Sequence, residues 1–426
     1  MEPGMSAQKQ RILELARTHV IPGRVSMLEQ LGIDLVIGRR EGYRIWDLDG
    51  RELLDLHLNG GTFNLGHRNP ELLRVLAEAL ERLDIGNHHF PSVERAELAA
   101  KLCSLSPGGR LRYTVFASGG SEANDVAIKT ARRATGRRTV VALDKGYHGR
   151  TGLSGAAGDD DAARYFLSDA PADFLKVPFD DLDAVETALR AGGVAAVLIE
   201  PLPATYGFPV PSDGYLPGLR RLCDEHGALL IADEVQTGLG RTGKLWAVEC
   251  WDVVPDILVT GKGLSGGIYP IAATLVSEAA GAWLTENAWG HVSTFGGAEP
   301  GCVVASAVLD VCSNPDTLAH AEAMSSRMYA GLEALRQRHP FLAEVRRKGL
   351  VMGLRFDHAA GALLMAKALY DNGVWAMFSG FDLSVLQWKP GLLIDEVYCD
   401  SALERLEAAV ESVESSEAIA GGLGSG

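Results

Sequence analysis

The sequence predicts an α/β protein in which a large, doubly wound, mixed or parallel sheet is joined to a smaller α+β domain. The first observation is that short, β-branched apolar runs alternate with helical stretches between residues 70 and 314. Buried parallel strands give such runs because helices cover both faces of their sheet. The second observation is that longer and more highly charged helical stretches follow Asn314-Pro315. These stretches predict that a separate, smaller domain follows the sheet.

The N-terminal segment, residues 1–69, is predicted to join the small domain. An amphipathic helix is expected from about Ser6 to His19. A strand pair follows at 43–47 and 53–56, around the hairpin turn signal Asp49-Gly50. Residues 70–314 are predicted to form the large domain and residues 315–414 the C-terminal part of the small one. The Gly/Ser-rich segment 415–426 is expected to be a disordered tail.

The large domain is predicted to contain buried parallel strands, each followed by a loop or helix. Their sequences are YTVFAS, TVVALD, AAVLIE, ALLIADEV, DILVTG and IAATLVS. Open α/β sheets bind ligands at the carboxyl ends of their strands. The candidate site therefore comprises the residues directly after the strands, which are Ser118–Ser121, Lys145–His148, Glu200-Pro201, Asp233–Gln236 and Gly261–Gly263.

Composition excludes several classes of function. The chain has 426 residues and a formal net charge of −15, which argues against a general affinity for nucleic acids or anionic membranes. It contains no apolar run of about 18 residues that would span a bilayer, and no signal-peptide core at the N-terminus. The six cysteines lack CxxC spacing, and we expect reduced core residues in a cytoplasmic protein.

Three of the strand ends have groups that are suited to binding a ligand or to catalysis. Gly119-Gly120 leads into a helix that contains Ser121, where exposed amides favour a phosphate; an ordinary tight turn with a serine cap is the alternative. Asp233 suits a metal, a general base or a protonated ring nitrogen. Lys262, flanked by glycines, suits a desolvated nucleophile, and a surface lysine is the alternative. Together, the phosphate site, the acid and the lysine match the needs of pyridoxal phosphate.

Two competing motifs fail. Residues 238–244 (GLGRTGK) begin like a Walker A loop, but Leu245 replaces the hydroxyl residue that would bind Mg²⁺. Residues 263–267 (GLSGG) fit the G-x-S-x-G nucleophile elbow, which requires a helix directly after the serine. A proline and a β-branched run follow instead. Neither a nucleotide-binding loop nor a hydrolase elbow is therefore predicted.

The sequence resembles the class III aminotransferases, which are fold type I pyridoxal-phosphate enzymes, over nearly its whole length. The motifs that carry the resemblance are FASGGSEANDVAIKTAR, GYHGRTGLSGAAG, LIADEVQTGLGRTGKLWAVE, PDILVTGKGLSGGIYPIAA and HVSTFGGAEPGC. They occur in the family's order, and Lys262 follows Asp233 by 29 residues. The resemblance implies a homodimer, because the family builds each active site at a subunit interface.

The resemblance also implies roles for individual residues. Lys262 would form the Schiff base and move the substrate proton, while Asp233 would pair with the pyridine nitrogen. The remaining cofactor contacts would be Tyr147 and Val235 on the two ring faces, Gln236 on the phenolic oxygen, Gly120 and Ser121 on the phosphate, and Thr294 on the phosphate from the partner subunit. His148, next to Tyr147, would support the site without taking part in the chemistry.

The substrate half of the site departs from the family pattern. Gln387 stands where many members carry the arginine that grips a substrate carboxylate, and Thr205 stands where a neutralising glutamate is common. The usual Asn-Pro after the phosphate-binding threonine reads Ala298-Glu299-Pro300, and Gly119 replaces a hydroxyl residue. The candidates that could still hold a carboxylate are Arg24, Arg150 and Lys389.

The leading prediction is an aminotransferase that moves an amino group from an amino acid or amine to a carbonyl acceptor. The alternative is a non-transaminating enzyme on the same cofactor, because Gln387 replaces the arginine. Its reactions would be β/γ-elimination or replacement, carbon–carbon bond formation or racemisation. A non-enzymatic scaffold is disfavoured because Lys262, Asp233 and Gln236 are all present.

Overall fold

The computed structural model describes residues 5–86 and 89–416. The helices of this part of the chain are α1 (Ala7–His19), α2 (Pro22–Gln30), α3 (Leu58–Gly61), α4 (Pro70–Leu80), α5 (Val93–Ser104), α6 (Gly120–Thr135), α7 (Gly152–Ala157), α8 (Asp160–Tyr165), α9 (Leu182–Arg190), α10 (Tyr215–His226), α11 (Trp283–Glu286), α12 (Glu299–Cys312), α13 (Pro315–Arg338), α14 (Gly361–Asp371) and α15 (Glu396–Glu414). Short 3-10 turns occupy Pro107–Gly109, Ala247–Trp251 and Lys262–Ser265.

The strands fall into an N-terminal, a central and a C-terminal group. They are β1 (Ile37–Glu41), β2 (Arg44–Asp47), β3 (Glu52–Asp55), β4 (Leu111–Ala117), β5 (Thr139–Leu143), β6 (Phe174–Val177), β7 (Val194–Ile199), β8 (Leu229–Asp233), β9 (Ile257–Thr260), β10 (Ala272–Ser277), β11 (Leu342–Lys348), β12 (Val351–Phe356), β13 (Val374–Trp375), β14 (Met377–Ser379) and β15 (Asp382–Trp388). The central group forms one sheet in the order β4-β10-β9-β8-β7-β5-β6.

The central sheet confirms the predicted α/β class and corrects one strand. Strands β5 to β9 pair in parallel. The IAATLVS run was expected to be parallel, and this prediction is wrong, because β10 runs antiparallel to both β4 and β9. A parallel return needs a long crossover, usually a helix. Residues 261–271, between β9 and β10, contain only a 3-10 turn, so the chain folds back beside β9.

The directions of the strands set the position of the site. Strand β4 is antiparallel to β10, which is antiparallel to β9, so β4 points the same way as the parallel strands. The carboxyl ends of β4, β5, β7, β8 and β9 therefore lie along one edge of the sheet. Helix α6 begins directly after β4 and ends at Gly136, which has a left-handed φ of 65°.

The N- and C-terminal parts of the chain share a sheet. Strand β13 pairs in parallel with β3, with Val374 opposite Leu54, and extends the sheet β1-β2-β3. Strands β11, β12, β15 and β14 form a second four-stranded sheet in that order. This is the predicted combination of the N-terminal segment with the C-terminal third. The domain limits at residues 69, 314 and 414 stay predictions.

The predicted N-terminal elements are present. Ser6 caps α1 by accepting a hydrogen bond from the Lys9 amide at 3.3 Å, and β2 and β3 form the predicted antiparallel hairpin. Sequence patterns missed α2, β1 and the edge strand β6. The tail predicted at 415–426 lies outside the described residues from position 417 onward.

The sequence predicted reduced core cysteines and no apolar run long enough to span a bilayer, and the structure describes the cysteines and the helices. All six cysteines are free; Cys223, Cys302, Cys312 and Cys399 are buried, and Cys103 and Cys250 are half-buried. Within the described part of the chain, no helix is long and apolar enough to cross a membrane.

Candidate active site

Five strand ends of the central sheet surround one cavity of about 140 Å³. The residues that line it come from the segments after β4, β5, β7, β8 and β9. They are Gly120, Ser121, Asn124, Tyr147, His148, Gly149, Glu200, Asp233, Val235, Gln236 and Lys262. The structure thus brings together the cofactor-binding candidates from these five segments. Thr294, Gln387 and Thr205 do not line this cavity.

Asp233, the last residue of β8, is fixed by three neighbours. Its Oδ2 accepts a hydrogen bond from Asn124 Nδ2 at 2.8 Å and lies 2.8 Å from His148 Nδ1. Its Oδ1 accepts from the Val235 amide at 3.1 Å. The carboxylate is 96% shielded from solvent, with 4% of the residue exposed. Asp233 therefore presents a buried acid with a single orientation to the cavity.

Lys262 opens the 3-10 turn after β9 with a left-handed φ of 44°. Such a backbone is strained for a side chain other than glycine, and strain of this kind concentrates at functional sites. Burial lowers the pKa of the Lys262 amine, while the nearby Asp233 and Glu200 carboxyls partly offset this effect. A lowered pKa increases the fraction of neutral, nucleophilic amine.

Gly60, on α3, lies close to the Lys262 side chain. A Cβ at Gly60 would lie 3.1 Å from Lys262 Cε and 3.2 Å from Gln236 Oε1. Gly60 also has a φ of 72°, in the left-handed region that favours glycine. The lysine stem and the Gln236 amide therefore occupy the space that a larger residue at position 60 would fill.

The start of α6 has the features of an anion site. Gly119 is the N-cap residue and makes no side-chain capping bond, so the alternative of a serine-capped turn is wrong, since Ser121 lies inside the helix. A Cβ at Gly120 would lie 3.1 Å from Val235 Cγ1. The first-turn amides, which have no partner within the helix, and the dipole of this 16-residue helix favour a phosphate.

Gly149 closes the same site from the other side. Its φ is 135°, and a Cβ there would lie 2.3 Å from Ser121 Oγ. The next residue, Arg150, donates its backbone amide to Ser121 Oγ at 3.4 Å. Ser121 is thus held against a backbone segment that tolerates no side chain at position 149.

Besides Gly149, two lining residues, both with polar side chains, were not assigned a role from sequence. Asn124 Nδ2 lies within hydrogen-bond distance of Gly120 O at 3.2 Å, His148 O at 3.0 Å and Asp233 Oδ2 at 2.8 Å. An amide NH₂ has only two hydrogens, so these acceptors share them. The signal available in the sequence was that Asn124 lies one turn after Gly120 on the same helix face.

Glu200 is the second of these residues. Its carboxyl accepts from the Tyr147 amide at 2.9 Å and from the Ala204 amide at 3.4 Å. Burial raises the pKa of Glu200 to about 7, with His148 opposing and Asp233 reinforcing the rise. Glu200 directly follows a strand in which every residue is buried, and Asp233 likewise lies at a strand end. This position was the signal available in the sequence.

The predicted substrate residues lie near the hairpin of β14 and β15. Gln387, on β15, is 7% exposed, and its Oε1 accepts from Lys389 Nζ at 2.6 Å. The backbone oxygen of Thr205 accepts a hydrogen bond from the Phe381 amide, at 3.0 Å.

Thr294, the predicted phosphate contact from the partner subunit, is exposed and lies in the segment before α12.

The three candidate carboxylate binders have different surroundings. Arg24 is exposed on α2. Arg150 pairs with Asp159 at 2.6 Å, and its guanidinium carbon lies 4.9 Å from the centre of the Tyr147 ring. Lys389 is fully buried, and its amine donates to Gln236 Oε1 at 3.2 Å. The Lys389 amine hydrogen-bonds Gln236 and the Arg150 guanidinium lies over the Tyr147 ring, and both of these partners line the cavity.

The two rejected motifs have structural roles. In GLGRTGK, the Arg241 guanidinium is buried, donates to Asn64 Oδ1 at 2.8 Å and reaches two carbonyl oxygens at 3.4 Å. In GLSGG, Ser265 Oγ donates to the Lys262 carbonyl oxygen at 2.6 Å. Neither segment starts an α-helix, which both motifs require.

The seven-stranded mixed sheet, with a lysine, an acid and a helix N-terminus around one cavity, defines a fold type I α/β transferase. Residues 28–410 match the family model described as aminotransferase class-III. An uncharacterized aminotransferase of Archaeoglobus fulgidus is 47% identical and aligns with 95% of this chain and 94% of its own length. The chain therefore belongs to the class III aminotransferase family and is an aminotransferase.

Further relatives agree with this family. The acetylornithine aminotransferase of Pseudomonas putida is 36% identical over 88% of this chain and 92% of its own. The crystal structure of the ornithine aminotransferase from Toxoplasma gondii ME49 has a TM-score of 0.87 and 27% identity, over 96% of each chain. Another structure of the T. gondii enzyme, with a TM-score of 0.82 and 26% identity over 96% of this chain and 99% of that one, has PLP at partial occupancy in its active site. These comparisons support the predicted transamination and not the alternative reactions.

Proposed function

We propose that the cavity binds pyridoxal 5'-phosphate and that the enzyme transfers an amino group from an amino acid or amine to a carbonyl acceptor. The observation that carries this proposal is that the Lys262 amine, the Asp233 carboxylate and the start of α6 line the same cavity. When bound, the cofactor supplies an electron sink for the breaking of a bond at the substrate carbon. A covalent anchor, an acid and an anion site are the groups that its aldehyde, ring nitrogen and phosphate need.

The chain's own residues would divide the work of binding. Lys262 would hold the aldehyde carbon covalently, and Asp233 would keep the ring nitrogen protonated. The other proposed contacts are Gly120 and Ser121 with the phosphate, Tyr147 and Val235 with the ring faces, and Gln236 with the phenolic oxygen. His148 would act through Asp233, which it contacts at 2.8 Å.

Lys262 would also move the substrate proton. Burial lowers the pKa of its amine, which increases the fraction that is neutral and able to accept a proton and return it to a neighbouring atom. Glu200 would hold the Tyr147 backbone and keep the ring-stacking side chain in place. The burial of Glu200 and Asp233 at the cavity would strengthen these electrostatic contacts.

We propose a homodimer in which Thr294 of each subunit reaches the phosphate site of its partner. Several apolar side chains are exposed on either side of Thr294 and on the segment from Phe90 to Val93. Trp289 is 64% exposed and Phe90 78%, and the rings of His89 and Trp289 meet edge-on at 5.0 Å. Exposed apolar groups on neighbouring segments are typical of a subunit interface. Analytical ultracentrifugation would test the dimer, and Thr294→Ala should weaken cofactor binding.

The proposed partners are small molecules, and neither nucleic acid nor a membrane is proposed. The six free cysteines favour a reducing compartment, and we propose the cytoplasm. Relatives are named for acetylornithine, succinyldiaminopimelate and ornithine. Because Gln387 replaces the expected arginine, we propose that a bidentate grip on a carboxylate from position 387 is not part of substrate binding.

The proposal is tested by the visible absorbance of the purified protein after incubation with pyridoxal phosphate. A band that changes on addition of an amino donor, with formation of pyridoxamine phosphate and the matching carbonyl product, is expected. The donor panel should include N-acetylornithine, ornithine and amines without a carboxylate. Lys262→Ala serves as the control and should lose the covalently bound band. A wild-type protein that gains no band contradicts the proposal.

A further inference from the structure

The Lys389 amine lies between two glutamine side chains at the edge of the cavity. Its Nζ donates to Gln387 Oε1 at 2.6 Å and to Gln236 Oε1 at 3.2 Å. Gln236 lines the cavity, and Lys389 is fully buried. Lys389 therefore connects the strand end of β15 to a residue beside the proposed cofactor.

In the structure both amides present their oxygen to the Lys389 amine. An ammonium, or the two N–H bonds of a neutral amine, supplies one donor for each glutamine. Both glutamines therefore turn their oxygen toward Lys389, and their NH₂ groups point elsewhere. The NH₂ of Gln387 approaches the Phe378 carbonyl at 3.5 Å. The NH₂ of Gln236 is left for a partner on its other side.

Lys389 has no acid partner to justify its burial by an ion pair. Among the described residues, no carboxylate lies within salt-bridge distance of its amine. Burial and the nearby charges of Arg241 and Lys262 lower its pKa well below the usual value, and Asp55 opposes this effect. Burying an amine without an acid costs free energy, and a function at the site would explain why the chain retains it.

We propose that Lys389 is a positioning residue that holds the Gln236 amide with its NH₂ toward the phenolic oxygen of the cofactor. The inference rests on the proposed function, since it needs a bound cofactor. The terminal torsion of glutamine is broad and nearly two-fold, so without Lys389 the amide can rotate. The rotated amide would set its oxygen against the phenolic oxygen, and the hydrogen bond would be lost.

The test is a pH titration of the visible band of the bound cofactor in Lys389→Met, Gln236→Leu and the double variant. A hydrogen bond to the phenolic oxygen stabilises the negative charge that remains when the neighbouring proton leaves, so its loss raises the midpoint pH. We expect a rise of about one pH unit in each single variant. Because Lys389 acts through Gln236, the double variant should shift no further than Gln236→Leu alone.

The controls separate this role from a general loss of a buried lysine. Lys176→Met removes an amine that bonds the Ala156 and Ala157 carbonyls, away from the cavity lining, and should leave the midpoint unchanged. Lys389→Arg keeps the donors and should restore a midpoint near that of the wild type. If Lys389→Met does not fold, Lys389→Ala, which leaves room for water, replaces it.

Three outcomes overturn the inference, and the first can be told apart from the other two. A wild-type protein without a cofactor band overturns the proposed function and this inference with it. A normal wild-type band with an unchanged midpoint in Lys389→Met overturns only the role of Lys389. So does a double variant whose shift equals the sum of the two single shifts, because Lys389 would then act through its charge and not through Gln236.

Discussion

Nδ1 of His148 lies 2.8 Å from Oδ2 of Asp233, and only 2% and 4% of these two residues are exposed. The same oxygen accepts from Asn124 Nδ2 at 2.8 Å. The contact fixes the histidine tautomer, because Nδ1 must carry the proton that it donates to the carboxylate. His148 is thus one of two side chains that aim Asp233 at the cavity.

His148→Phe should slow the reaction of the bound cofactor with an amino donor by about tenfold, the equivalent of one lost hydrogen bond. Asn124 still holds Asp233, so cofactor binding should persist. Single-turnover kinetics with absorbance detection would measure the rate. His148→Asn keeps a donor on a shorter side chain and should lose less; equal losses in both variants would contradict a role through the hydrogen bond.

Gly149→Ala should weaken the affinity for pyridoxal phosphate by about tenfold or more, because the new Cβ would lie 2.3 Å from Ser121 Oγ. The measurement is the dissociation constant of the cofactor from absorbance titration. Gly136→Ala is the matched control, since Gly136 also has a positive φ but a Cβ there meets nothing within 4 Å. Comparable affinity losses in both variants would show that backbone strain, not the contact with Ser121, is responsible.

Gln387→Arg, which restores the arginine common in the family, should destabilise this protein. Its guanidinium would replace an amide whose oxygen accepts from Lys389 at 2.6 Å, and a permanent cation would then face the N–H donors of Lys389 without an acid. We expect the free energy of unfolding to fall by about 3 kcal/mol. Urea denaturation would measure it. The double variant with Lys389→Met should recover most of the loss; a double variant as unstable as Gln387→Arg would contradict the charge argument.

Glu234→Gln should reduce the dependence of stability on pH. Burial raises the pKa of Glu234 from 4.5 to about 7 in the folded protein. The stabilisation that results from this raised pKa is fully present below about pH 4.5 and is lost as the pH rises through about 7. Between these pH values the folded state holds a proton that the unfolded state has released. Between these pH values the wild type should lose about 3 kcal/mol more than the variant. Urea denaturation at several pH values would measure this, and parallel curves would contradict it.

Local patterns predicted the core of the fold and the strand ends. Apolar β-branched runs mark β4, β5 and β7 to β10 because buried strands need them on both faces. The same burial made β10 indistinguishable from a parallel strand, and only its pairing shows the antiparallel direction. The edge strand β6 was missed because its four residues include Lys176 and a half-buried leucine.

The sequence predicted some residues of the candidate site and not others. Lys262 and Asp233 stand at strand ends, where topology alone brings them together. Asn124 and Glu200 were not assigned roles, because their contacts join segments far apart in sequence. The position of Lys389 depends on how β15 packs against the loop that contains Gln236, which no periodicity encodes. The roles of the site residues stay predictions.

The function proposed for this protein depends on Lys262 as the covalent anchor of the cofactor. This role is tested by incubation with pyridoxal phosphate, reduction with borohydride and peptide mass spectrometry. We expect the reduced cofactor to be attached to the peptide containing Lys262 and to be absent from Lys262→Ala. Attachment to Lys389 or to exposed lysines in place of Lys262, or no attachment at all, would contradict it.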